Sequence, residues 1–498
     1  MQRRQADVRT PPPIPLPQGE GGQRFHSFRH RSCTLLVVAI LAASCIPALA
    51  ADEDQDLQFI PQAAQQPPQA APAVTTASGT QHNYLEDAFQ ETALRPNLLV
   101  PLPPPDPARW EDWLFLDSRD EWQLGDGVHF TYSGRFNFRA ADNLPFPTHE
   151  NVRNDLREAY VIWQPSDGTW LELGRINLKS GVALGYNPTD FFKTRAVVEP
   201  LTADPSVLRE DRMGTLMVFG EHVWTGGSIA IAFAPQVTLP TAVYRDTELP
   251  DFDPMLDRTN AQDRFLLKGS VNLAPGLAPE LLLYHAGDRT QIGANMTVGI
   301  GQQTVAYAEW AGGVRSDLIT DALNYGRETG TLPPSTLAII KGDPTEYFQN
   351  DLALGTSWSP AETKLTFNFE YHYHEAGFTS QDWQRWFNAA RGGGFTGINS
   401  TLWYIRGYAQ EQQEPLERHE AFVRMDWVDA FVTDLEITAL ANVSLEDGSG
   451  LVQATADYYV SRAWTVGVLG SFSFGGPRTD YGSLPQAGSV LLRVVRYL

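Results

Sequence analysis

The sequence predicts an all-β fold: a transmembrane antiparallel β-barrel of 16 or 18 strands, with short periplasmic turns and long extracellular loops. Three observations predict it. Apolar and polar residues alternate with a period of two along most of the 498-residue chain, as in strands with two different faces. Most runs are about ten residues long, near the length that a tilted strand needs to cross a bilayer. Short and long connections alternate between them, which is typical of outer-membrane barrels.

Residues 363–375, TKLTFNFEYHYHE, show the alternation most clearly. One face is apolar and aromatic and consists of Leu365, Phe367, Phe369, Tyr371 and Tyr373. The other face is polar and consists of Lys364, Thr366, Asn368, Glu370, His372 and His374. Because successive side chains of a strand point to opposite faces, we expect the first set to face lipid and the second to face an aqueous lumen.

Similar strand-like runs recur through the chain. Together with 363–375 they lie near 128–138, 152–164, 169–177, 213–223, 228–236, 263–273, 279–286, 290–299, 303–311, 350–358, 400–409, 417–427, 432–443, 451–460, 463–474 and 488–498. These 17 runs conflict with the even strand number of most single-chain bacterial barrels. The set therefore lacks one strand or contains one too many, and we expect the discrepancy within 178–212 or 376–399.

Tryptophans near the ends of the runs fit the aromatic girdles of a membrane barrel. They are Trp163, Trp170, Trp224, Trp310, Trp358, Trp403, Trp427 and Trp464. A soluble β-sandwich or propeller would explain the alternation but neither the strand length nor the oily aromatic faces.

The amino-terminal region predicts export. A basic flank precedes the apolar run at 34–43, and the sequence Ala-Leu-Ala ends at Ala50, so we expect a signal peptide cleaved before Ala51. The alternative is a lipoprotein acylated at Cys45. The only other cysteine, Cys33, also lies in this region. The mature chain would therefore lack thiols, which excludes disulfides, cysteine catalysis and thiolate metal sites.

The predicted organisation has three parts. Residues 1–50 form the signal peptide, 51–110 form a flexible periplasmic segment rich in Pro, Gln and Ala, and 111–498 form the barrel. The middle segment has too few aromatic residues to build a core. A short amphipathic helix is predicted within 380–394, because Trp383, Trp386 and Phe387 recur at helical spacing. It would either fold into the lumen as a constriction or lie on the outer leaflet.

Composition and motifs narrow the function. A formal net charge of −22 argues against nucleic acid as a partner. The sequence has no phosphate-binding loop, no G-x-S-x-G elbow and no helical zinc motif, so we predict neither an enzyme nor a cofactor. A catalytic triad assembled from distant residues would leave no such signature.

Charged residues on the polar faces are the candidate pore lining, where mixed charge sets weak ion selectivity. These residues are Arg135, Arg139, Lys364, Glu370, His372, His374, Arg424 and Asp426. His372 and His374 lie two apart on one strand and point the same way, so they either share a metal ion or form a polar wall beside Glu370. We favour the polar wall and predict no metal.

Two stretches resemble a known group. LELGRINLKSGVALGYNPTDFF (171–192) is similar to the pattern of poorly characterised proteobacterial outer-membrane porins, and LEDGSG (445–450) with YGSLPQAGSVLLRVVRYL (481–498) resembles the last strands of that group and of alginate-export-type barrels. The chain departs from them by ending on Leu498 rather than on an aromatic residue.

The resemblance implies one of two transport functions. The first is diffusion of small hydrophilic solutes through a porin-like channel in the outer membrane. The alternative is export of an acidic exopolysaccharide, and a barrel-wall enzyme is a remote third possibility. The expected partners are outer-membrane lipid, lipopolysaccharide, the barrel-assembly machinery and the transported solute or polysaccharide.

Overall fold

The computed structural model describes residues 81–103, 106–144, 151–198, 201–240, 254–274, 276–333, 340–391 and 396–498. Within them, 18 strands form one sheet in which chain neighbours pair antiparallel. The first strand also pairs with the last along Tyr84 to Leu94, so the sheet closes into a barrel. The predicted all-β barrel with 16 or 18 strands is confirmed. Among the described residues, no helix combines the length and apolarity needed to span a membrane.

The strands are numbered in chain order. They are β1 Gln81–Leu94, β2 Trp110–Gly125, β3 Val128–Ala141, β4 Val152–Ser166, β5 Thr169–Ile176, β6 Thr215–Trp224, β7 Gly227–Ala234, β8 Arg264–Val271, β9 Glu280–Ala286, β10 Arg289–Ile300, β11 Thr304–Arg315, β12 Tyr347–Trp358, β13 Leu365–His374, β14 His419–Trp427, β15 Leu435–Ser444, β16 Gly450–Ser461, β17 Trp464–Phe474 and β18 Gln486–Tyr497. The helices are α1 Pro205–Glu210, α2 Leu256–Thr259, α3 Leu318–Glu328, α4 Ser380–Arg391 and α5 Thr396–Gln412.

Three strand assignments need correction. The run at 400–409 lies in α5, whereas β1 and β2 are strands that the alternation did not reveal. The barrel therefore begins at Gln81, and the segment predicted to be flexible over 51–110 contains all of β1. The reason is chemical: the outer positions of β1 include Asp87 and Glu91, so that strand has no continuous apolar face. Residues 1–80, with the predicted signal peptide, lie outside the described residues.

The two faces of the wall differ as expected. On β13, Phe369 is 43% exposed while its neighbour Asn368 is 1% exposed, so the aromatic face points outward. Other strands carry exposed apolar side chains at outward positions, among them Val218, Ile231, Leu283, Met296, Leu354, Val468 and Leu492. Lipid offers no hydrogen bonds, and a closed sheet with an apolar exterior leaves no unpaired backbone facing it.

The two rims also differ. One rim has turns at 126–127, 167–168, 225–226 and 301–303, and the other has long connections at 177–214, 235–263, 316–346 and 375–418. We call them the short-turn rim and the long-loop rim. The connection at 287–288 is short although it lies on the long-loop rim. Strand β1 begins and strand β18 ends at the short-turn rim. In barrels of this type, the rim that carries both chain termini is the periplasmic one.

A helical cap, formed by α3, α4 and α5, packs around its own apolar core at the long-loop rim. The core includes Ile319, Trp383, Trp386, Leu402 and Ile405. The predicted amphipathic helix is thus α4, and its apolar face is buried in this core. The cap contacts distant parts of the rim: α3 through Asp321 and Arg289 of β10, with two bonds of 2.9 Å, and α5 through Arg406 and Asp480 of the β17–β18 connection.

Candidate functional site

The connection between β5 and β6, residues 177–214, is the candidate site, and we call it the constriction segment. Its described residues contact the inner faces of strands on several sides of the barrel. The contact strands are β3, β4, β11, β13, β14 and β16. Several of the contacting wall residues, such as Arg135, Glu309 and Glu370, lie near the middle of their strands. The segment therefore crosses the lumen at about mid-height.

Glu309, on the inner face of β11, binds backbone amides of the segment. Its carboxylate accepts hydrogen bonds from the N–H groups of Val182 at 2.8 Å, Ala183 at 3.0 Å and Thr189 at 2.8 Å. The Thr189 hydroxyl donates a further bond at 2.8 Å. Gly181 precedes this turn with φ +90°, and a Cβ there would lie 2.5 Å from the Glu309 carboxylate. The close approach of backbone and carboxylate requires glycine at this position.

Glu370, on β13, binds the next residues in the same way. It accepts bonds from the N–H groups of Leu184 at 2.6 Å and Gly185 at 2.8 Å, and from the Tyr307 hydroxyl at 2.6 Å. His372 lies 2.8 Å away through Nε2. Two buried wall carboxylates therefore satisfy five consecutive or nearby backbone donors of a segment that has no secondary structure there.

Apolar contacts fix the following residues of the segment. The ring of Phe191 stacks on Tyr284 of β9, with centroids 4.6 Å apart and an angle of 4°. Phe192 meets the same tyrosine edge-on at 5.8 Å. Both phenylalanines belong to a buried cluster with inner-face residues of β6 to β9, including Met217 and Leu266. This side of the lumen is therefore filled with side chains rather than water.

On the far side, the residues just before α1 contact β14 and β16. Asp204, which caps α1, pairs with Arg424 at 3.1 Å, and Arg424 also contacts Asp426 at 2.9 Å. Gln453 of β16 donates to the Thr202 hydroxyl at 2.7 Å and accepts from the backbone N–H of residue 203 at 2.8 Å. Of the predicted pore-lining residues, Arg424 thus contacts the constriction segment, and Asp426 contacts Arg424.

A four-residue ion network fixes the end of the segment to β2, β3 and β4. Arg135 contacts Asp117 at 2.7 Å and Asp211 at 2.9 Å. Arg157 contacts both of the same aspartates at 2.6 Å. Two buried guanidinium groups and two carboxylates neutralise one another, which is the condition under which buried charges are tolerated. Arg135 is therefore a structural cation. Its guanidinium contacts carboxylates instead of water in the lumen.

The segment also contacts the residue that follows α5 of the helical cap. Gln413, just after α5, donates to the backbone carbonyl of Lys193 at 2.6 Å, and the Lys193 ammonium lies 4.4 Å from the ring of Tyr186. Burial lowers the pKa of Lys193, although Glu414 and Asp190 act in the opposite direction. Lys193 remains in an environment that disfavours its charge, which is unusual for a lysine.

His374 belongs to a separate cluster with Asp351, Arg315 and Glu414. Its Nδ1 lies 2.6 Å from Asp351, and Arg315 donates to both oxygens of Glu414 at 2.9 and 3.0 Å. Burial raises the pKa of Glu414, but Arg315 and His374 outweigh that effect and lower it to about 2. Asp351, His374 and Glu414 lie within metal-binding reach of one another. The bidentate guanidinium supplies the positive charge there, so the cluster fits an ion-pair network better than a metal site.

The two histidines do not converge on one point. His372 contacts Glu370 and, at 3.1 Å, Glu420, whereas His374 contacts Asp351. The geometry favours the polar-wall interpretation. Both side chains are buried, at 1% and 0% exposure, because the constriction segment and the cap residues cover this part of the wall.

Two predicted pore-lining residues lie near the rims. Arg139 contacts Glu111 at the long-loop rim. Lys364 lies in the turn before β13, where its side chain is 62% exposed and contacts Asp429 at the short-turn rim. A role for these side chains in ion selectivity stays a prediction.

Sequence reasoning did not single out Glu309, Asp117, Arg157 or Asp211. The alternation in 303–311 places Glu309 on an inner face, but no local pattern shows that this carboxylate binds a loop more than a hundred residues away.

Comparisons with known proteins give structural matches only. No family model matches the chain, and no curated protein matches it. Among solved structures, Acinetobacter baumannii OccAB1 aligns with TM-score 0.48 and 9% identity over 87% of this chain and 99% of that one. Pseudomonas aeruginosa OccK5 (OpdH) aligns with TM-score 0.47 and 9% identity, and P. aeruginosa OpdK with vanillate with 0.46 and 10%, both over 84% of this chain and 98% of theirs.

At such TM-scores and identities the similarity carries no argument about a substrate. The barrel assignment rests on the strand pairing and on the two faces of the wall. A closed antiparallel sheet with an apolar exterior and a polar interior is the architecture of an outer-membrane barrel.

Proposed function

We propose that this protein is an outer-membrane channel for diffusion of small hydrophilic solutes. One observation carries the proposal: a polar segment crosses the lumen at mid-height and is fixed there by wall carboxylates and arginines. A folded segment inside a barrel narrows the bore and exposes particular polar groups to the solutes that pass. In this way a channel sets a size limit and a preference among solutes. Outer-membrane lipid, lipopolysaccharide and the barrel-assembly machinery are the partners that this location implies.

Export of an acidic exopolysaccharide has less support. An acidic polymer needs a continuous series of available cations along its path. The inner-face cations Arg135, Arg157, Arg315 and Arg424 each contact carboxylates at 3.1 Å or less. We also propose that the chain is a passive channel rather than an enzyme.

The test is reconstitution of the purified protein in planar bilayers and in liposomes. We expect discrete current steps in bilayers, together with liposome swelling that falls off sharply as the size of a neutral solute increases. Absence of both current and swelling from protein that shows heat-modifiable migration on gels would refute the proposal. Permeation by anionic oligosaccharides in preference to small solutes would support the exporter instead.

A further inference from the structure

A cavity of about 270 Å³ lies on the inner side of the long-loop rim. Its walls come from the outer ends of β1, β2, β3 and β18 and from the β1–β2 and β3–β4 connections. The residues that matter chemically are Gln90, Thr92, Glu111, Arg139, Asn143 and Gln486. We call it the outer-mouth cavity. Its volume is near the lower end of small-molecule sites, about 300 to 1,000 Å³, so a solute of monosaccharide size is the appropriate scale.

The lining combines amide and hydroxyl groups with one internally neutral ion pair. Gln90, Asn143 and Gln486 each carry both a donor and an acceptor, and the Thr92 hydroxyl does the same. Gln90 donates to Thr92 at 3.1 Å, and Asn143 donates to the backbone carbonyl of residue 106 at 2.7 Å. These contacts orient the side chains without using all their capacity, since an amide group offers two donors and two lone pairs.

Two buried donors near this cavity lack an acceptor among the described residues. They are Nε of Arg139 and Nε1 of Trp113. Trp113 is only 8% exposed, and the guanidinium of Arg139 lies 5.0 Å from the centroid of its ring. Buried polar groups are normally hydrogen-bonded. Both atoms are closed off from solvent, and Trp113 is not among the residues that line the cavity, so these two N–H groups do not contact a solute there.

The charges decide which kind of solute fits. An anion would have to displace Glu111 from Arg139 and would lie beside that carboxylate. A cation would have to displace Arg139 from Glu111, because Arg139 already neutralises that carboxylate. A neutral solute with several hydroxyl groups avoids both costs, since each hydroxyl donates and accepts and matches the amides and Thr92.

We propose that the outer-mouth cavity is a binding subsite for small neutral polyhydroxylated solutes of monosaccharide size. This inference rests on the proposed function, since it names the class of solute that the channel would take up. Binding should be weak and fast, because a channel site must release what it binds.

The test uses three hydroxyl-rich solutes of monosaccharide size that differ in charge: glucose, gluconate and glucosamine. Their binding to the mature protein in detergent micelles is measured by saturation-transfer NMR titration. We expect glucose to bind in the millimolar range and the two charged analogues to bind several-fold more weakly. Tighter binding of gluconate than of glucose, or no binding of any sugar, would overturn the inference.

Variants locate the site. Gln90→Leu and Thr92→Val should each weaken glucose binding about 2- to 12-fold, the loss expected for one neutral hydrogen bond. The matched control is Gln291→Leu, on the inner face of β10 across the barrel, which should leave glucose affinity unchanged. If the control weakens binding as much as the cavity variants do, the site lies elsewhere. Heat-modifiable migration checks that each variant is folded.

Ion current from the same preparations separates this inference from the proposed function. Conducting channels that bind no sugar would overturn the subsite and leave the channel function intact. Folded protein that binds glucose in the cavity but conducts no current would support the subsite and overturn the channel function.

Discussion

Glu370 on β13 accepts a hydrogen bond of 2.6 Å from the backbone N–H of Leu184, 186 residues earlier in the chain. This contact joins the inner wall to the constriction segment at mid-height. Glu309 lies two strands away, on β11, and makes the equivalent contacts to Val182, Ala183 and Thr189. The width of the bore therefore depends on a few carboxylates that bind backbone amides. The role of each carboxylate can be tested by mutation.

The first prediction concerns Glu309. Glu309→Ala leaves three backbone N–H groups of the segment without their acceptor, and each unpaired buried donor costs about 1–3 kcal/mol. The segment should detach from β11, so single-channel current should become larger and noisier. Glu280→Ala is the control, because this inner-face carboxylate of β9 contacts Lys268 and Asn295 instead of the segment. Unchanged current in Glu309→Ala would contradict the assigned role.

The second prediction concerns the outer face. Phe369→Arg should reduce the free energy of unfolding by about 2–4 kcal/mol, the cost of a cation near the middle of a lipid-facing wall. Urea-induced unfolding in lipid vesicles measures it, and Phe369→Leu is the apolar control. The inner neighbour Asn368 is 1% exposed, so a bulky substitution there tests packing rather than water access. A stable Phe369→Arg variant would mean that the outer face does not meet lipid.

The third prediction concerns pH. Burial raises the pKa of Glu417, just before β14, to about 10, and repulsion by Asp480 and Asp447 adds to the effect. In the unfolded chain this carboxyl titrates near 4.5. Between these values the folded state holds one proton more than the unfolded state at this carboxyl. The contribution of Glu417 to stability therefore falls as pH rises and is fully present below about pH 4.5.

Glu417→Gln removes this titration and should flatten the pH dependence. The measurement is the urea midpoint of tryptophan fluorescence between about pH 5 and 9, since Trp383 donates to Glu417 at 2.7 Å. Burial also raises the pKa of Asp480, to about 6 despite Arg406, so the comparison is cleanest above that pH. Equal slopes in the wild type and Glu417→Gln would show that Glu417 is ionised in the folded protein.

The fourth prediction concerns the helical cap. Arg406 contacts Asp480, and its guanidinium lies 5.2, 5.7 and 5.3 Å from the ring centroids of Trp383, Trp386 and Trp403. Arg406→Leu leaves Asp480 buried without its cation, which costs about 3–5 kcal/mol. Amide hydrogen exchange in α4 and α5 should accelerate strongly.

The control for the cap is Arg385→Leu. Arg385 is 45% exposed on α4 and pairs with Asp382 three residues away, an exposed pair worth about 0.2–1 kcal/mol. Similar exchange rates in the two variants would show that Arg406 does not hold the cap to the rim.

The fifth prediction concerns processing. Intact-mass measurement of the protein purified from outer membranes should give a chain that begins at Ala51, because the sequence predicts signal cleavage after Ala50. A chain that begins at an acylated Cys45 would establish the lipoprotein alternative. A mass that includes residues 1–50 without a lipid would contradict both.

The sequence by itself determined the barrel and which face of a strand points outward. Period-two alternation is a local property, so Phe369 and Asn368 could be assigned to opposite faces from their positions alone. Alternation does not reveal a strand where the local chemistry is mixed. Strand β1 carries Asp87 and Glu91 at outward positions, and the run at 400–409 alternates although it is helical.

Only the tertiary structure decided what the inner-face charges do. The sequence placed Arg135, Glu370 and Arg424 in the lumen, where they were expected to meet water and ions. The constriction segment instead brings Asp211, the amides of residues 184 and 185, and Asp204 to them. These partners are distant in sequence, and strand periodicity contains no information about which loop will fold back into the barrel. A strand's faces follow from its own residues, whereas the partner of a buried charge depends on the whole chain.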